Sequence, residues 1–150
     1  MYRLRLALVT LAAILQPACR IEDRSPEGSR RDEEQIRGVI AAYYDGVGSE
    51  SWASARPLFW DSATVQVRAA NDTAWRQFRD PDAYGAFLSV RPGPHMAARP
   101  IRMDARQEED VATVWVEVRR GEGGERTAEH FALRKMDGAW RIVGMVGGER

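Results

Sequence analysis

Cysteine occurs once in the 150 residues, at Cys19, so no disulfide can close within the chain. Histidine occurs only at His95 and His130, without companions at ligand spacing, and no metal is expected. Neither sign of charge is in excess, with 22 Lys plus Arg against 22 Asp plus Glu, so a nucleic-acid partner is not expected either. No phosphate loop, dinucleotide fingerprint or Gly-x-Ser-x-Gly elbow is present, which leaves no cofactor to expect. The longest apolar run, Leu6–Leu15, is interrupted only by Thr10 and is half of the roughly 20 residues that a membrane-crossing helix needs. What remains is the composition of a soluble globular domain, 44% hydrophobic and 29% charged, with five Trp.

Arg3 and Arg5 precede that short apolar run, and Cys19 follows it by four residues, after Ala18. A positive start, a short apolar core and a small residue make a secretory signal. The placing of the cysteine resembles a bacterial lipoprotein leader, in which a peptidase cuts before a cysteine that then carries lipid. Gln16 and Pro17 depart from the usual leader, and a plain secretory signal is the alternative. The chain is therefore expected to be exported, with residues 1–19 as signal peptide and Cys19 as the lipidation site anchoring it to a membrane. Residues 20–31, polar and charged with Pro26 and Gly28, read as a flexible tether before a folded domain spanning 32–150.

Asp32 and Gln35 have the spacing of a capping box, and Ile36, Val39, Ile40, Tyr43 and Val47 follow on one helical stripe ended by Gly46 and Gly48. A shorter helix is predicted over Ser51–Phe59, then a hairpin of Ala63–Ala69 and Thr73–Phe78 around Asn71-Asp72. Asp80-Pro81-Asp82 starts a third helix running to about Leu88. Val90–Pro100 is a loop with three prolines and His95, and a strand near Ile101–Gln107 leads into the most regular stretch of the chain.

That stretch alternates apolar and polar residues through Val111–Arg119, Thr127–Lys135 and Ala139–Val146, with Gly-containing turns between, and predicts an antiparallel meander. If Gly121–Gly124 is a four-residue loop, Arg120 pairs with Glu125, Phe131 with Val114 and His130 with Trp115. If Asp137-Gly138 is a two-residue turn, Ile142 joins the face of Ala112, Val114, Phe131 and Leu133. Met145 then lies beside His130 on a second face with Thr113, Trp115, Ala132 and Val143. Both faces are largely apolar, so both are expected to be covered. A one-residue slip would exchange them, so either face can line a pocket.

These elements predict an α+β domain with a curved antiparallel sheet. Tyr43-Tyr44-Asp45 on the first helix, Trp52, Phe59-Trp60-Asp61-Ser62-Ala63-Thr64-Val65 and the closing Leu133-Arg134-Lys135-Met136-Asp137-Gly138-Ala139-Trp140-Arg141-Ile142 resemble the nuclear transport factor 2-like superfamily over roughly Glu33–Gly147. That superfamily includes ketosteroid isomerases, scytalone dehydratase and SnoaL-like polyketide cyclases. The resemblance implies a cone, in which the sheet wraps the long first helix around a pocket, and a homodimer.

It also sets candidate roles. Tyr43 falls where the isomerases keep a hydrogen-bonding tyrosine, whereas their catalytic carboxylate falls at Val67, which cannot take a proton. The dehydratase pattern draws attention to Tyr44-Asp45 and His130, although Asp45 lies off the apolar stripe and reads as solvated. The leading expectation is a small apolar or aromatic ligand held in the cone by residues among Tyr43, Phe59, Trp60, Phe87, Trp115 and His130, without an assembled catalytic set. Two alternatives stand beside it: a lyase or isomerase using Tyr43 or Tyr44 with His130, and an interaction module that dimerises through the outer sheet face at a membrane.

Overall fold

A computed structural model describes residues 26–49, 51–68, 73–90, 98–120 and 125–148. The signal segment with Cys19, the Asn71-Asp72 turn, His95 and the Gly121–Gly124 loop lie outside the described residues. The chain folds as helix α1 (Pro26–Gly48), helix α2 (Trp52–Ala55) with a 3-10 turn at Arg56–Leu58, strands β1 (Phe59–Arg68) and β2 (Arg76–Phe78), and helix α3 (Pro81–Ser89). Strands β3 (Arg99–Glu108), β4 (Val111–Arg120), β5 (Glu125–Met136) and β6 (Ala139–Gly148) complete it. The six strands form one sheet in the order β2-β1-β6-β5-β4-β3, antiparallel except where β1 meets β6.

Helix α1 lays its apolar stripe, Ile36, Ile40, Tyr43, Tyr44 and Val47, on the inner face of this sheet, where all five are buried. They meet Val114, Val116, Val118, Phe131, Leu133, Ile142 and Met145 in one core. The helix begins at Pro26, a residue whose fixed φ suits a first turn, so its first six residues lie within the segment expected to be a tether. Asp32 is thus not a cap. One helical turn before Ile36, it accepts hydrogen bonds from Lys135 Nζ (2.7 Å), Trp140 Nε1 (3.3 Å) and Gln107 Nε2 (3.1 Å). That cluster ties the helix to the turn end of the meander. Trp140, the aromatic of the closing motif, is buried there.

Helix α3 starts as its sequence dictates, with the Asp80 carboxylate accepting the Asp82 N–H at 2.9 Å and Pro81 in the first turn. It docks on α2 through Gly85, where any Cβ would collide with the indole of Trp52.

In the meander, β4 and β5 pair as Arg120 with Glu125, Trp115 with His130 and Val114 with Phe131. Asp137 and Gly138 both take positive φ, 51° and 79°, and so form the two-residue turn that joins Met136 to Ala139. Leu133 pairs with Ile142 as the alternation requires, but the ladder then shifts: Ala132 pairs with Gly144, Phe131 with Met145 and His130 with Val146. The extra residue, Val143, is a β-bulge. It carries Met145 to the inner face, opposite to the expectation, where its side chain is 3% exposed.

The two faces consequently differ. The inner face is the core; on the outer face His130 and Thr113 are exposed, Trp115 and Ala132 half-buried, and Val146 is 41% exposed. Within a single chain, the outer face is not covered as expected.

Candidate functional site

Between α1, α3 and the ends of β5 and β6 the inner face leaves a cavity of about 60 Å³, open on one side. Its apolar lining comes from Val47, Val67, Phe87, Leu88, Ala98 and Met145, and its polar end from Tyr43, Tyr44, Tyr84, Arg120 and Glu129. The alternation that turns Phe131 and Leu133 inward also turns in Thr127 and Glu129, and both are buried, Glu129 to 1% exposure.

Such a carboxylate survives burial only if it is paired and hydrogen-bonded. Glu129 forms an ion pair through Oε1 with Arg120 Nη2, whose side chain is 11% exposed. Its Oε2 accepts from the Tyr44 hydroxyl at 2.7 Å. Arg120 reaches the carboxylate along the face of β5, donating from Nε to Thr127 Oγ1 at 3.3 Å on the way. Gly147, directly across the ladder from Glu129, leaves room for it: a Cβ there would stand 3.1 Å from Glu129 Cγ. Beside this pair the hydroxyls of Tyr43 and Tyr84 share a buried hydrogen bond of 3.0 Å.

Both α1 tyrosines are held in the phenol form. Burial raises the pKa of Tyr43, and Tyr84 and Glu129 add to it. Burial also raises that of Tyr44, with the adjacent Glu129 charge and hydrogen bond adding to the effect. A phenol such as Tyr44, which keeps its proton and donates a hydrogen bond to a carboxylate, can orient a ligand or complete a polar end. It does not act as a base at neutral pH.

The structure gathers some of the expected site residues and separates others. Tyr43 and Phe87 line the cavity. Val67 also faces it, so the position aligned with the isomerase carboxylate presents an apolar wall. Phe59 is core instead, 2% exposed and packed edge-on against Tyr43 at 5.8 Å between ring centroids. Trp60 is 40% exposed. Trp115 and His130 sit on the outer face, in a broad concavity with Thr64, Gln66, Asp104 and Arg106. The sheet therefore stands between His130 and the two tyrosines, because β5 alternates and Glu129, its neighbour, takes the inward position. Asp45 is exposed, as its place off the stripe requires.

Sequence reading missed Glu129, Arg120 and Tyr84. The signal for Glu129 was present, since it shares a face with Phe131 and Leu133 and interrupts an apolar series with a charge. Among the described residues no three His, Cys, Asp or Glu side chains come together to hold a metal ion, and no helix is long and apolar enough to cross a membrane.

An N-terminal helix on the concave face of a six-stranded, mostly antiparallel sheet, enclosing a cavity, is the nuclear transport factor 2-like fold. Solved structures of proteins so described are similar to this chain. One of unknown function from Pseudomonas putida KT2440 is 15% identical, with a TM-score of 0.67 over 81% of this chain and 88% of that one. Another, from Methylobacillus flagellatus KT, is 21% identical, with a TM-score of 0.65 over 79% and 91%. A third, from Novosphingobium aromaticivorans, described as having a cystatin-like fold, is 20% identical, with a TM-score of 0.59 over 85% and 90%. Such likeness establishes the fold and carries no activity with it. No family model matches the sequence, and no curated protein does.

Proposed function

We propose that this protein binds a small ligand, apolar over most of its length, in the cone cavity, with the ligand's polar end toward Tyr44, Glu129 and Arg120. One observation carries the reading: an apolar-walled space that ends in a buried, hydrogen-bonded ion pair. Binding sites of this kind combine apolar walls with a few placed polar groups. An apolar void of about 150 Å³ holds benzene, so this one accommodates about three carbon atoms, the rest of a ligand occupying the open side. A thermal-shift screen of small amphipathic compounds tests it, because a ligand of the folded state raises the Tm by mass action. A rise that disappears on Val67→Arg, which fills the wall, is expected. A screen without any rise would count against the reading.

A second reading, self-association, is favoured by the outer face. Asp104, Trp115, His130, Val146 and Gln66 form one row of paired positions across five strands. Strands about 4.8 Å apart and about 3.3 Å per residue give this face roughly 800 Å², near what each partner of a stable dimer buries. Sedimentation is expected to show a dimer that Trp115→Glu dissociates; a monomer at high concentration would refute it. Export and lipid attachment at Cys19 complete the proposal, supported by the sequence of the leader. Labelled palmitate is expected to enter the wild type and not Cys19→Ser.

A further inference from the structure

We propose that the cavity selects uncharged ligands that donate a hydrogen bond, above all a hydroxyl, to the Glu129 carboxylate. This inference rests on the ligand-binding reading and names the chemistry of the group bound. A carboxylate offers roughly four acceptor positions. Among the described residues two donors reach Glu129, Tyr44 on Oε2 and Arg120 on Oε1. The group is nine-tenths and more buried, yet it lines the cavity, and Gly147 across the ladder places no side chain over it. Its remaining acceptor capacity therefore opens onto the space a ligand would occupy, where an unanswered acceptor is costly.

Charge decides which donor fits. Glu129 and Arg120 neutralise each other inside the cavity. Arg68, at the rim, sets its guanidinium over the Trp75 ring, 5.5 Å from the centroid. Its Cβ and that ring each lie 3.6 Å from where a Cβ on Gly148 would stand. An ammonium ligand would meet Glu129 but also Arg120, and a carboxylate ligand would meet the reverse. Either carries a charge that loses its hydration on entering apolar walls. A hydroxyl brings a donor without a charge.

The test is an NMR titration of the full-length protein with four probes of similar size: 1-butanol, diethyl ether, butylammonium and butyrate. The alcohol is expected to bind about tenfold more tightly than each of the others, the effect of roughly one net hydrogen bond. That preference is expected to vanish in Glu129→Gln. In Tyr44→Phe, where Oε2 loses its internal donor, 1-butanol is expected to bind more tightly than in the wild type, while diethyl ether is unchanged. Equal binding of ether and alcohol would overturn the inference and leave the ligand-binding reading standing, as would tighter binding of either ion. Should none of the probes bind at any concentration the fold tolerates, both fall. If Glu129→Gln does not fold, the wild-type comparison and Tyr44→Phe decide, and a Tyr44→Phe protein that binds butanol no better than wild type overturns the inference.

Discussion

Asp32 has three donors on two oxygens while its side chain is only 13% exposed. Burial alone would raise its pKa, but the hydrogen bonds from Lys135, Trp140 and Gln107 outweigh it and hold the carboxyl below its ordinary value of 3.8. The folded state thus takes up this proton less readily than the unfolded one. Its stabilising contribution is present above about pH 4 and is lost as pH falls through the lowered folded value. Asp32→Asn is expected to cost about 2 kcal/mol at pH 7, the scale of a charged hydrogen bond, and much less in strong acid. Urea denaturation of both proteins across that range measures it. The tyrosines act at the other end of the scale. Because burial raises the pKa of Tyr43 and Tyr44, their contribution is complete below the ordinary value near 10 and is lost as pH climbs above it. Absorbance titration is expected to show both phenols silent until the protein unfolds in alkali. Tyr44→Phe, which breaks a bond to a carboxylate, is expected to cost about 2 kcal/mol against about 1 for Tyr43→Phe.

Among the elements, α3 depends on one missing side chain. Gly85 lets the helix reach the Trp52 indole, which also lies against Tyr84 with the rings perpendicular, 5.6 Å between centroids. Gly85→Ala is expected to destabilise by about 2 kcal/mol through overpacking, read as a lower urea midpoint with unchanged slope. The start of this helix could be read directly from Asp80-Pro81, as could the pairing of β4 with β5, since their loop length and alternation agree. Other features needed the fold. Asp32 has the form of a cap, and only the hairpin brought across from Lys135 to Trp140 gives it a different use. The register of β6 needed Val143 to be recognised as an inserted residue; Gly144 in a strand interior is the sign that such bulges leave. Of the site, Tyr43 was legible because it lies on the helical stripe. The choice between His130 and Glu129 turned on a sheet face that alternation alone left open, and Tyr84 reaches Tyr43 only because α3 packs beside β1 and the 3-10 turn.

In the whole molecule β6 is the member that makes one sheet of two parts. It stands between β1 and β5, holding the short β1–β2 ribbon to the meander through a parallel pairing that runs from Phe59 beside Ile142 to Arg68 beside Gly148. Ending the chain after Gly138 would leave β5 without a partner on one side and β1 without its main neighbour. The truncated protein is expected to lose its cooperative thermal transition, followed by circular dichroism, rather than to melt at a lower temperature. The same strand supplies Met145 and Gly147 to the cavity, so continuity of the fold and shape of the site rest on the same ten residues.

The bulge at Val143 has a consequence for how this sequence can change over time. Up to Ile142 the strand counts its residues from the turn; beyond Val143 it counts from a point shifted by one. Losing Val143 itself would straighten the ladder and leave Met145 and Gly147 facing in, whereas losing Val146, beyond the bulge, would turn Gly147 out. Homologous chains can therefore be one residue shorter between Trp140 and Gly147 without exchanging the faces, provided that the residue lost is the one at the bulge.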